Sequence, residues 1–589
     1  MQTFKKILFL FTATERKSAA FLLLMITIMA LLDTIGVASI MPLIAILTNS
    51  DIIETNIFLN KLFNFTKIYG VKNKQDFIFI FSIIVLIILF FSIIFKATTT
   101  YAQIKFAEMS NYNISKRLLE RYLRQNYSWF LYNHSADRGK VILSDVSHVV
   151  DNGIYAMMEL ISKSLIVILL IVLIMIIDLK LAFAIIFFLG TAYGIMFKLF
   201  RNYLSDIGNK LIIYSQKRFL SISDAFGAIK EVKVGGLENI YIKRYEDAAK
   251  TFGILQGKAT AIGQLPRYAL EIIGFVGIML IIIYLMTLAG SLNNALPIIS
   301  VYVFSGYRLL PALQQVYNSS TKLTFVGAAL DKLHNEFSIL KETNLNQNKG
   351  ILGFNKEIKL KNVYFYYPNS KKPTLKDINL TIRHKTTVGI VGATGSGKTT
   401  TINIILGLLQ PQKGTLEVDG KTIANKNIRS WQRSIGYVPQ NIFLSDDTVS
   451  ANIAFGQELK DINGNMVEKA AKIANLHKFI IDELPKKYQT TIGEHGIRLS
   501  GGQRQRIGIA RALYHNPKVL IFDEATNALD SQTEQAVMDA VKNLNKNITI
   551  IIITHRLNTV KNCEFIFKLH KGQIISCGTF DEIIIENKT

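Results

Sequence analysis

The chain has 589 residues, enough for more than one domain, and half of them are hydrophobic although 19% are charged. This mixture excludes a single ordinary globular class and indicates an apolar part joined to a soluble part. The net charge of +24 suits either a nucleic-acid binder or a membrane protein with basic cytoplasmic loops, and the two cysteines, Cys563 and Cys577, exclude a disulfide framework.

Six apolar stretches precede residue 340, and each is about the 20 residues that a helix needs to cross hydrocarbon. They therefore predict six transmembrane helices, at residues 20–47, 77–95, 159–177, 181–199, 262–288 and 295–316. The third and fourth are separated by three residues, which predicts a tight hairpin, and the fifth and sixth by the uncharged segment 289–294. The first stretch is too long for the core of a cleavable signal, so none is expected.

Basic residues mark one side of the predicted membrane domain. The N-terminal leader and the connections 96–158 and 200–261, which have helical patterns, are rich in Lys and Arg. The positive-inside rule places them, and with six crossings also the C-terminus, in the cytoplasm. The basic charge is then explained without nucleic acid, which we do not expect as a partner. The cations concerned include Lys5, Lys6, Arg16, Lys17, Lys116, Arg117, Arg121, Arg124, Lys217, Arg218, Lys230 and Lys233.

The segment 56–68 between the first two spans has its own pattern. Its apolar residues would share one face of a helix lying on the outer leaflet. The alternative is a loop packed on neighbouring helices. The apolar residues are Ile57, Phe58, Leu62, Phe63, Phe65 and Ile68.

The sequence changes character near residue 340. Residues 341–356 are polar and rich in Asn and Lys, which predicts a linker. From residue 357 to 589, short β-branched runs alternate with helical patterns. The predicted fold is a six-span α-helical membrane domain (residues 1–340) followed by an α/β P-loop NTPase domain.

A phosphate-binding loop is the decisive motif of the second domain. Residues 392–399 fit the pattern G-x-x-x-x-G-K-[ST] between a β-type run, 387–391, and a helical run, 400–409. Such a loop presents backbone amides and a helix N-terminus to the phosphates of ATP. We expect Lys398 to contact the β- and γ-phosphates and Thr399 to bind Mg²⁺. The predicted nucleotide residues here are Gly392, Thr394, Gly395, Ser396, Gly397, Lys398, Thr399 and Thr400.

Two further runs end in polar residues. The run 518–522 is followed by Asp523 and Glu524, and the run 549–553 precedes His555. Parallel strands bind ligands at their carboxyl ends, so these groups are expected beside the loop. Asp523 would hold Mg²⁺, and Glu524 would activate the attacking water. Alone, the acidic pair is also compatible with a strand-end cap, and the histidine with a surface position, but the phosphate loop disfavours both alternatives.

The pentapeptide LSGGQ at residues 499–503 completes this set. With the preceding motifs, it makes the chain resemble the ABC exporter family over nearly its whole length. The resemblance implies that Ser500, Gly501, Gly502 and Gln503 close on ATP held by a second copy, in a homodimer. It also implies that Glu524 is the catalytic glutamate and that His555 senses the γ-phosphate.

The resemblance assigns further positions. Tyr367 would stack on adenine, and Gln440 would touch Mg²⁺ and contact the membrane domain. Residues 493–496 resemble the exporter-specific segment, and 527–530 the D-loop, where Asn527 replaces the usual serine and Asp530 is kept. Bends near residues 127–133 and 223–232 would be the coupling helices that transmit closure of the ATPase domains.

Charged residues within the predicted spans are candidates for binding the cargo, because a charge in hydrocarbon is costly and so indicates a function. Arg267 and Glu271 are four residues apart and would pair on one helix face. Lys96 ends the second span, and if it does not face a cavity its ammonium would extend to the cytoplasmic membrane interface. Arg308 has no acidic neighbour within its helix, and Asp33 lies in the first span. Cations facing a central cavity would attract an anionic cargo; if Arg267 and Arg308 face lipid or only pair structurally, that hypothesis fails.

Two short segments give a weaker resemblance. Residues 266–271 and 307–311 are similar to segments of the bacterial flippases that move lipid-linked oligosaccharides in protein N-glycosylation. This resemblance implies that Lys96, Arg267 and Arg308 hold a lipid pyrophosphate, moved from the inner to the outer leaflet of a bacterial inner membrane. A lipid A-type flippase and a multidrug exporter remain alternatives, although basic residues in the spans disfavour the latter. A peptide exporter would often carry an N-terminal protease domain, for which the leader is too short, and a non-transport ATPase would lack the spans.

Overall fold

The computed structural model describes the chain apart from residues 1, 69–70, 72, 134, 178, 269–270, 273–274, 278, 281–282, 284–291, 341–349, 369, 494–495, 525–534, 536–538, 540–547 and 587–589. It divides into two compact units. The helical unit comprises Met1–Gln125 and Asn133–Glu342, and the α/β unit comprises Asn126–Tyr132 and Thr343–Thr589. Each unit is described by itself below.

Long helices dominate the first 340 residues. In chain order they are α1 (Gln2–Leu10), α2 (Ala13–Ala38), α3 (Ile40–Thr48), α4 (Ile52–Thr55), α5 (Ile57–Lys67), α6 (Lys74–Leu123), α7 (Tyr127–Phe130), α8 (Ser135–Lys140), α9 (Val146–Val149), α10 (Ala156–Ile177), α11 (Leu179–Gly227), α12 (Ile229–Val234), α13 (Glu238–Gln264), α14 (Leu292–Phe325) and α15 (Gly327–Ile339). Two π-helical segments, Val141–Asp145 and Val150–Tyr155, flank α9.

The helices differ from the predicted spans in extent. Within the part of the chain that the structure describes, three segments are long and apolar enough to cross a membrane: Ala13–Thr48, Lys74–Leu123 and Asp137–Ile177. The second span and its cytoplasmic extension form one 50-residue helix, α6, and the fourth span lies in the 49-residue α11. Much of the predicted fifth span lies outside the described residues, so the count of six stays a prediction.

The first predicted span is broken near its outer end. Helix α2 ends at Ala38 and α3 begins at Ile40, with Ser39 between them. Pro42 has no amide to donate to the carbonyl of Ala38, and its ring crowds that carbonyl. A proline is tolerated in the first turn of a new helix, which is where α3 places it.

The segment 56–68 is a helix, but its apolar residues do not share one face. The Asn56 side chain accepts hydrogen bonds from the amides of Phe58 and Leu59 and so begins α5. Leu59 and Phe63 are buried, with the Phe63 ring 5.2 Å from that of Phe77. Four others are exposed: Ile57, Phe58, Phe65 and Ile68. Phe63 therefore departs from the predicted face, since α5 packs on its neighbours with Leu59 and Phe63 and exposes the other four residues. A helix lying on the outer leaflet stays a prediction.

Strands of the α/β unit form two sheets. They are β1 (Glu357–Phe365), β2 (Leu375–Arg383), β3 (Thr387–Val391), β4 (Lys413–Val418), β5 (Lys421–Thr422), β6 (Ile435–Val438), β7 (Val519–Asp523), β8 (Thr549–Thr554), β9 (Phe565–His570) and β10 (Gln573–Gly578). One sheet has the order β2-β1-β4-β5, and the other has the order β10-β9-β3-β8-β7-β6. In the second sheet, β9, β3, β8, β7 and β6 pair in parallel, and β10 pairs antiparallel at the edge.

Helices of the α/β unit follow the strands. They are α16 (Lys398–Ile405), α17 (Ile428–Gln432), α18 (Val449–Ile453), α19 (Gly464–Ile473), α20 (His477–Asp482), α21 (Gly501–Tyr514) and α22 (Phe580–Glu586), with 3₁₀ turns at Leu459–Asp461, Lys487–Gln489 and Leu557–Val560. The predicted helix 400–409 is in fact 398–405. It stops because Gly407, at φ +68°, takes the left-handed conformation that ends a helix.

Alternate residues of the parallel strands enter two separate cores. In β7, Leu520 and Phe522 join the helices α19 and α21, whereas Val519 and Ile521 face the antiparallel sheet and Trp431. This period of two is the geometry of a strand buried on both faces, and it explains why the runs are wholly apolar. The parallel sheet is therefore packed on both of its faces.

The predicted linker ends earlier than expected. Residues 341–349 lie outside the described part of the chain, but Phe354 is buried against Trp431 in the α/β unit. The amides of Asn355, Lys356 and Glu357 donate hydrogen bonds to the Asp419 carboxylate. The residues just before β1 are therefore fixed to the α/β unit.

Candidate functional site

The phosphate loop connects β3 to α16, as the sequence predicts. Gly397 caps α16 at φ +102°, and a Cβ there would lie 2.7 Å from the Leu375 side chain. At Gly392 a Cβ would lie 2.3 Å from the Leu569 carbonyl oxygen. Both positions therefore require glycine, which keeps the loop closed around the space above the helix N-terminus.

Lys398 is folded over this loop. Its Nζ donates to the carbonyl oxygens of Gly392 at 2.8 Å and Ala393 at 3.0 Å. Burial lowers the pKa of Lys398, and the charges of Glu524 and Asp523 oppose that effect. Ser396 Oγ is also buried and has no hydrogen-bond partner among the described residues. A buried ammonium and an orphaned hydroxyl at a helix N-terminus fit the oxygens of a phosphate.

The strand order brings the other predicted groups to the same edge. Strands β8 and β7 follow β3 in the sheet, so His555 and the Asp523–Glu524 pair lie at consecutive carboxyl ends. The next strand, β6, ends at Val438, two residues before Gln440. Four separate parts of the chain thus converge where the loop opens.

Glu524 is the centre of this group. Gln440 Nε2 donates to Glu524 Oε2 at 2.9 Å, and His555 Nδ1 lies 3.2 Å from Oε1. The backbone of Glu524 has φ +51°, an uncommon conformation for a residue other than glycine. Its amide donates to the Ile553 carbonyl at 2.9 Å, which ties the strained turn to β8. The carboxylate is therefore oriented from both sides, as a base for water requires.

Asp523 has a partner that the sequence analysis missed. The Tyr437 hydroxyl donates to Asp523 Oδ2 at 3.1 Å. Burial raises the pKa of Asp523; this hydrogen bond and Lys398 lower it, and Glu524 raises it. Tyr437 lies in β6, and its pairing with Ile521, two residues before Asp523, is visible only in the sheet register. Asp523, Thr399 and Gln440 offer the oxygen ligands that Mg²⁺ prefers.

The predicted adenine contact lies beside the loop helix. Tyr367 Oη and Thr400 Oγ1 are 3.2 Å apart, and Phe365 supports the tyrosine ring edge-on at 5.0 Å. Thr394, Gly395 and Thr399 are exposed at the loop. The predicted residues at the ends of β6, β7 and β8 thus lie on the same side of the sheet as the phosphate loop.

The signature residues begin a separate helix. Ser500 caps α21, with its Oγ accepting from the Gln503 amide at 3.2 Å and Gln503 Oε1 accepting from the Ser500 amide at 2.8 Å. Within the part of the chain that is described, no hydrogen bond or ion pair joins residues 500–503 to the phosphate loop. Arg511, on the same helix, donates to the Phe443 and Asn452 carbonyls and was not singled out in the sequence. It fixes α21 to the segment that follows Gln440.

Several predicted residues cannot be placed. Glu494 and His495 of the exporter-specific segment, and Asn527 and Asp530 of the D-loop, lie outside the described residues. The predicted bend 127–133 contains the short α7, within the part of the chain that groups with the α/β unit. The second bend, 223–232, contains the break between α11 and α12 at Ala228.

Charged side chains of the helical unit pair across helices. Arg308 Nη1 donates to Asp33 Oδ1 at 2.5 Å, and Lys96 Nζ lies 3.8 Å from Asp33 Oδ2. The Asp33 side chain is 4% exposed, and this one buried carboxylate forms ion pairs with two cations. Arg308 therefore has an acidic partner on another helix, which its own helix does not supply.

Arg267 has the local partner considered in the sequence analysis. Its Nε donates to Glu271 Oε1 at 2.8 Å, and its side chain is 65% exposed. The pair is neutral, so Arg267 adds no surplus charge. Lys163 of α10, which the sequence analysis passed over, is half-buried and acts electrostatically on Lys96.

Comparison with known proteins agrees with this architecture. Residues 375–527 match the family described as ABC transporter, and residues 54–309 match the ABC transporter transmembrane region. The chain is 30% identical to the ATP-dependent lipid A-core flippase of Syntrophus aciditrophicus over 80% of its own length and 78% of that protein. It is 29% identical to the protein of the same name from Saccharophagus degradans, over 80% and 79%.

A solved structure shares the fold. The structure of a bacterial Atm1-family ABC exporter with ATP bound superposes with a TM-score of 0.78 at 22% identity, covering 98% of this chain and 97% of that one. The chain therefore belongs to the ABC transporter family: it is an ABC exporter half-transporter, a transmembrane domain fused to an ATP-binding domain, and it couples ATP hydrolysis to transport across a membrane.

Proposed function

We propose that two copies of this chain form a flippase of the bacterial inner membrane that moves an amphipathic anionic lipid from the inner to the outer leaflet. A pyrophosphate-linked lipid oligosaccharide fits best. The observation that carries the proposal is the buried Asp33 with Arg308 and Lys96 around it, within the predicted spans. Two cations for one carboxylate leave positive charge that an anionic head group would neutralise.

The proposed ATP hydrolysis uses the residues that lie around the phosphate loop. ATP would lie on the phosphate loop with its base on Tyr367, and Lys398 would exchange its two carbonyl partners for phosphate oxygens. Mg²⁺, held by Thr399, Gln440 and Asp523, would neutralise charge on the phosphates. Glu524 would take the proton of the attacking water, with Gln440 and His555 holding its carboxylate in place.

Closure of the dimer would couple this chemistry to transport. Ser500 and the α21 N-terminus of one copy would bind the γ-phosphate held by the other copy, so ATP joins the two ATP-binding domains. Loss of that phosphate would let them part. The segments 127–133 and 223–232 would carry the motion to the spans, as in other two-state transporters driven by ligand affinity. Both termini would be cytoplasmic.

Arg267 enters the proposal less directly than Arg308. Because Arg267 already pairs with Glu271, it would bind a phosphate only by exchanging that partner. Arg308 keeps further N–H groups free of partners among the described residues while Nη1 holds Asp33. The anionic-cargo hypothesis therefore rests on Arg308 and Lys96.

A lipid A-core flippase is the second candidate, because the relatives with nearly full-length similarity carry that name. Its cargo is also phosphorylated, so cations in the spans suit it too. A multidrug exporter is disfavoured by the same cations, since apolar drugs would meet a charged surface.

The test is ATP-dependent flipping of a pyrophosphate-linked glycolipid in proteoliposomes, with lipid A compared in parallel. Glu524→Gln should abolish hydrolysis and flipping together. Arg308→Ala should lower the amount of lipid moved per ATP hydrolysed by about tenfold, the loss expected for a charged hydrogen bond. Lys198→Ala, an exposed lysine of α11, is the control.

The outcomes separate the candidates. Transport of lipid A without transport of the glycolipid would replace the first candidate with the second. If Arg308→Ala moves as much lipid per ATP as the wild type, Arg308 does not bind the cargo and the anionic site is elsewhere.

A further inference from the structure

Helix α13 is interrupted where the predicted fifth span begins. It ends at Gln264, and helical backbone resumes at Pro266. Pro266 has no N–H, so the carbonyl four residues earlier loses its helical donor. The Leu265 amide still donates to the Ala261 carbonyl at 2.8 Å, whereas the Tyr268 amide donates to Leu265, only three residues back, at 3.2 Å. The regular backbone hydrogen bonding of the helix is therefore broken between residues 264 and 268.

A side chain of another helix binds a carbonyl that this break exposes. In a continuous helix the Gly263 carbonyl would accept from the Arg267 amide, but that bond is not found among the described residues. Gln314 Nε2, on α14, donates to the Gly263 carbonyl instead, at 3.1 Å. Gly263 is buried, and a Cβ there would lie 3.1 Å from Asn318 Oδ1, so a glycine lets α14 approach this closely. A side-chain hydrogen bond thus joins the two helices at the break.

This hydrogen bond leaves Gln314 only partly satisfied. Gln314 Oε1 is buried and has no hydrogen-bond partner in the part of the chain that is described. A buried amide oxygen without a donor costs free energy, and an arrangement of the helices that supplied a donor would recover it. The bond to Gly263 favours the present arrangement and the orphaned oxygen favours another. Two arrangements of similar free energy are what a switching element requires.

Room for movement lies next to the break. A cavity of about 200 Å³ lies between α13 and α14. It is lined by the side-chain amides of Gln256 and Gln264 from α13 and of Asn318 from α14, and none of the three makes a hydrogen bond among the described residues. Protein interiors are normally close-packed, so two helices in full contact could not approach each other further. Here they can, and the amides gain possible partners when they do.

We propose that residues 264–266 are a hinge at the start of the fifth span, and that the hydrogen bond from Gln314 to the Gly263 carbonyl is its latch. ATP binding opens the latch, and α13 tilts toward α14 into the cavity, relative to the chain that follows Pro266. Most of α13 belongs to the predicted cytoplasmic connection 200–261, so it is the part that moves with the ATP-driven change. The inference does not depend on which lipid is carried, because Gln314 acts on the backbone and not on the cargo.

The experiment measures the hinge with pairs of spin labels in nanodiscs of the full-length protein. The exposed positions Ile254 and Phe275, on either side of the break, are changed to cysteine in a chain that also carries Cys563→Ser and Cys577→Ser. One copy of each dimer is labelled, so that the measured distance lies within one chain. The hinge should give two distances, and their ratio should change when Mg-ATP is added to the Glu524→Gln variant.

Removing the latch should change that ratio in the absence of nucleotide. Gln314→Met keeps the length of the side chain but has no N–H, and Gln314→Glu places an oxygen where the donor was. Both should shift the ratio by about fivefold toward the ATP-bound distance, which is the effect of one lost hydrogen bond. The matched control is Gln315→Met, because the Gln315 amide makes no hydrogen bond among the described residues and the ratio should not change.

The results separate the hinge from its latch. Pro266→Ala restores an N–H at the break, so it should give one distance with and without Mg-ATP. A single distance in the wild-type hinge, the same in both conditions, overturns the hinge, and so do two distances in Pro266→Ala. An unchanged ratio in both Gln314 variants, or an equal shift in Gln315→Met, overturns the latch.

Discussion

At the scale of single residues, Glu524 combines a strained backbone conformation with a carboxylate that is proposed to act in catalysis. A positive φ at a residue with a Cβ costs of order 1 kcal/mol or more, and it persists where the surroundings hold it. Here the Glu524 amide is bonded to β8, while Gln440 and His555 contact its two carboxylate oxygens. The sequence motifs predict a role for each of the three, but the fact that two of them orient the third follows only from the strand order.

Tyr437 provides a prediction about pH. Asp523 must be ionised to bind Mg²⁺, burial raises the pKa of Asp523, and the hydrogen bond from Tyr437 lowers it. Tyr437→Phe removes that bond, so the pKa of Asp523 should rise further. The acidic limb of the Mg-ATPase profile, measured between about pH 5 and pH 7, should then move to higher pH.

The control for this prediction is Tyr366→Phe, because the Tyr366 hydroxyl makes no hydrogen bond among the described residues. An unshifted acidic limb in Tyr437→Phe, or a limb shifted to lower pH, would contradict the assignment of Asp523 as the group that titrates there.

At the scale of elements, the observed helix ends differ from the predicted ones where a single proline or glycine interrupts the helical backbone. Pro42 divides the first span into α2 and α3, and Gly407 ends α16 four residues before the predicted end. Hydrophobic periodicity predicts that a helix exists, but the end is set by local geometry. The α5 helix differs for another reason: which of its apolar residues are buried depends on Phe77 of α6.

The two stripes of α5 predict unequal effects of mutation. Phe63→Ala should destabilise the local fold of α5 by about 3 kcal/mol, because it leaves a cavity against Phe77. Phe65→Ala, in the exposed stripe, should change it by less than about 0.5 kcal/mol. Hydrogen–deuterium exchange of the amides 57–67 in nanodiscs measures both.

Equal protection in the two variants would mean that α5 is not held by its contact with α6. Loss of protection in Phe65→Ala alone would indicate that the exposed stripe is covered in the membrane, by lipid or by a second copy.

At the scale of the whole molecule, one chain contains a phosphate loop and a signature helix but no described bond between them. Ser500 and Gln503 cap each other at the start of α21. Such a helix N-terminus attracts anions, so a second chain is the natural source of the phosphate that it binds. The homodimer is proposed on this ground.

Complementation between copies tests that arrangement. Lys398→Ala and Ser500→Arg should each abolish ATP hydrolysis in homodimers. In mixed dimers, purified with two different tags, one nucleotide site carries both changes and the other is intact, so measurable hydrolysis should return. Inactive mixed dimers, with both copies present in equal amounts, would show that the signature does not act on the partner's nucleotide.

The grouping of residues 126–132 with the α/β unit bears on coupling. The sequence predicts a bend there, and α7 lies within it. Burial and Asp523 raise the pKa of Tyr437, which donates to Asp523, and Tyr127 lies near enough to add a smaller contribution. The segment proposed to transmit the motion is thereby close to a strand that ends at the catalytic edge.

The sequence by itself determined the family, the two-part architecture and the nucleotide site, because those depend on local motifs: a glycine loop before a helix, an acidic pair after a buried strand, and LSGGQ. The tertiary structure alone decided which charges pair between different helices. Arg308 pairs with Asp33, 275 residues away in the sequence, and Lys96 approaches the same carboxylate from another helix. No periodicity encodes such pairs, since the energy of a buried charge depends on what the other helices place beside it.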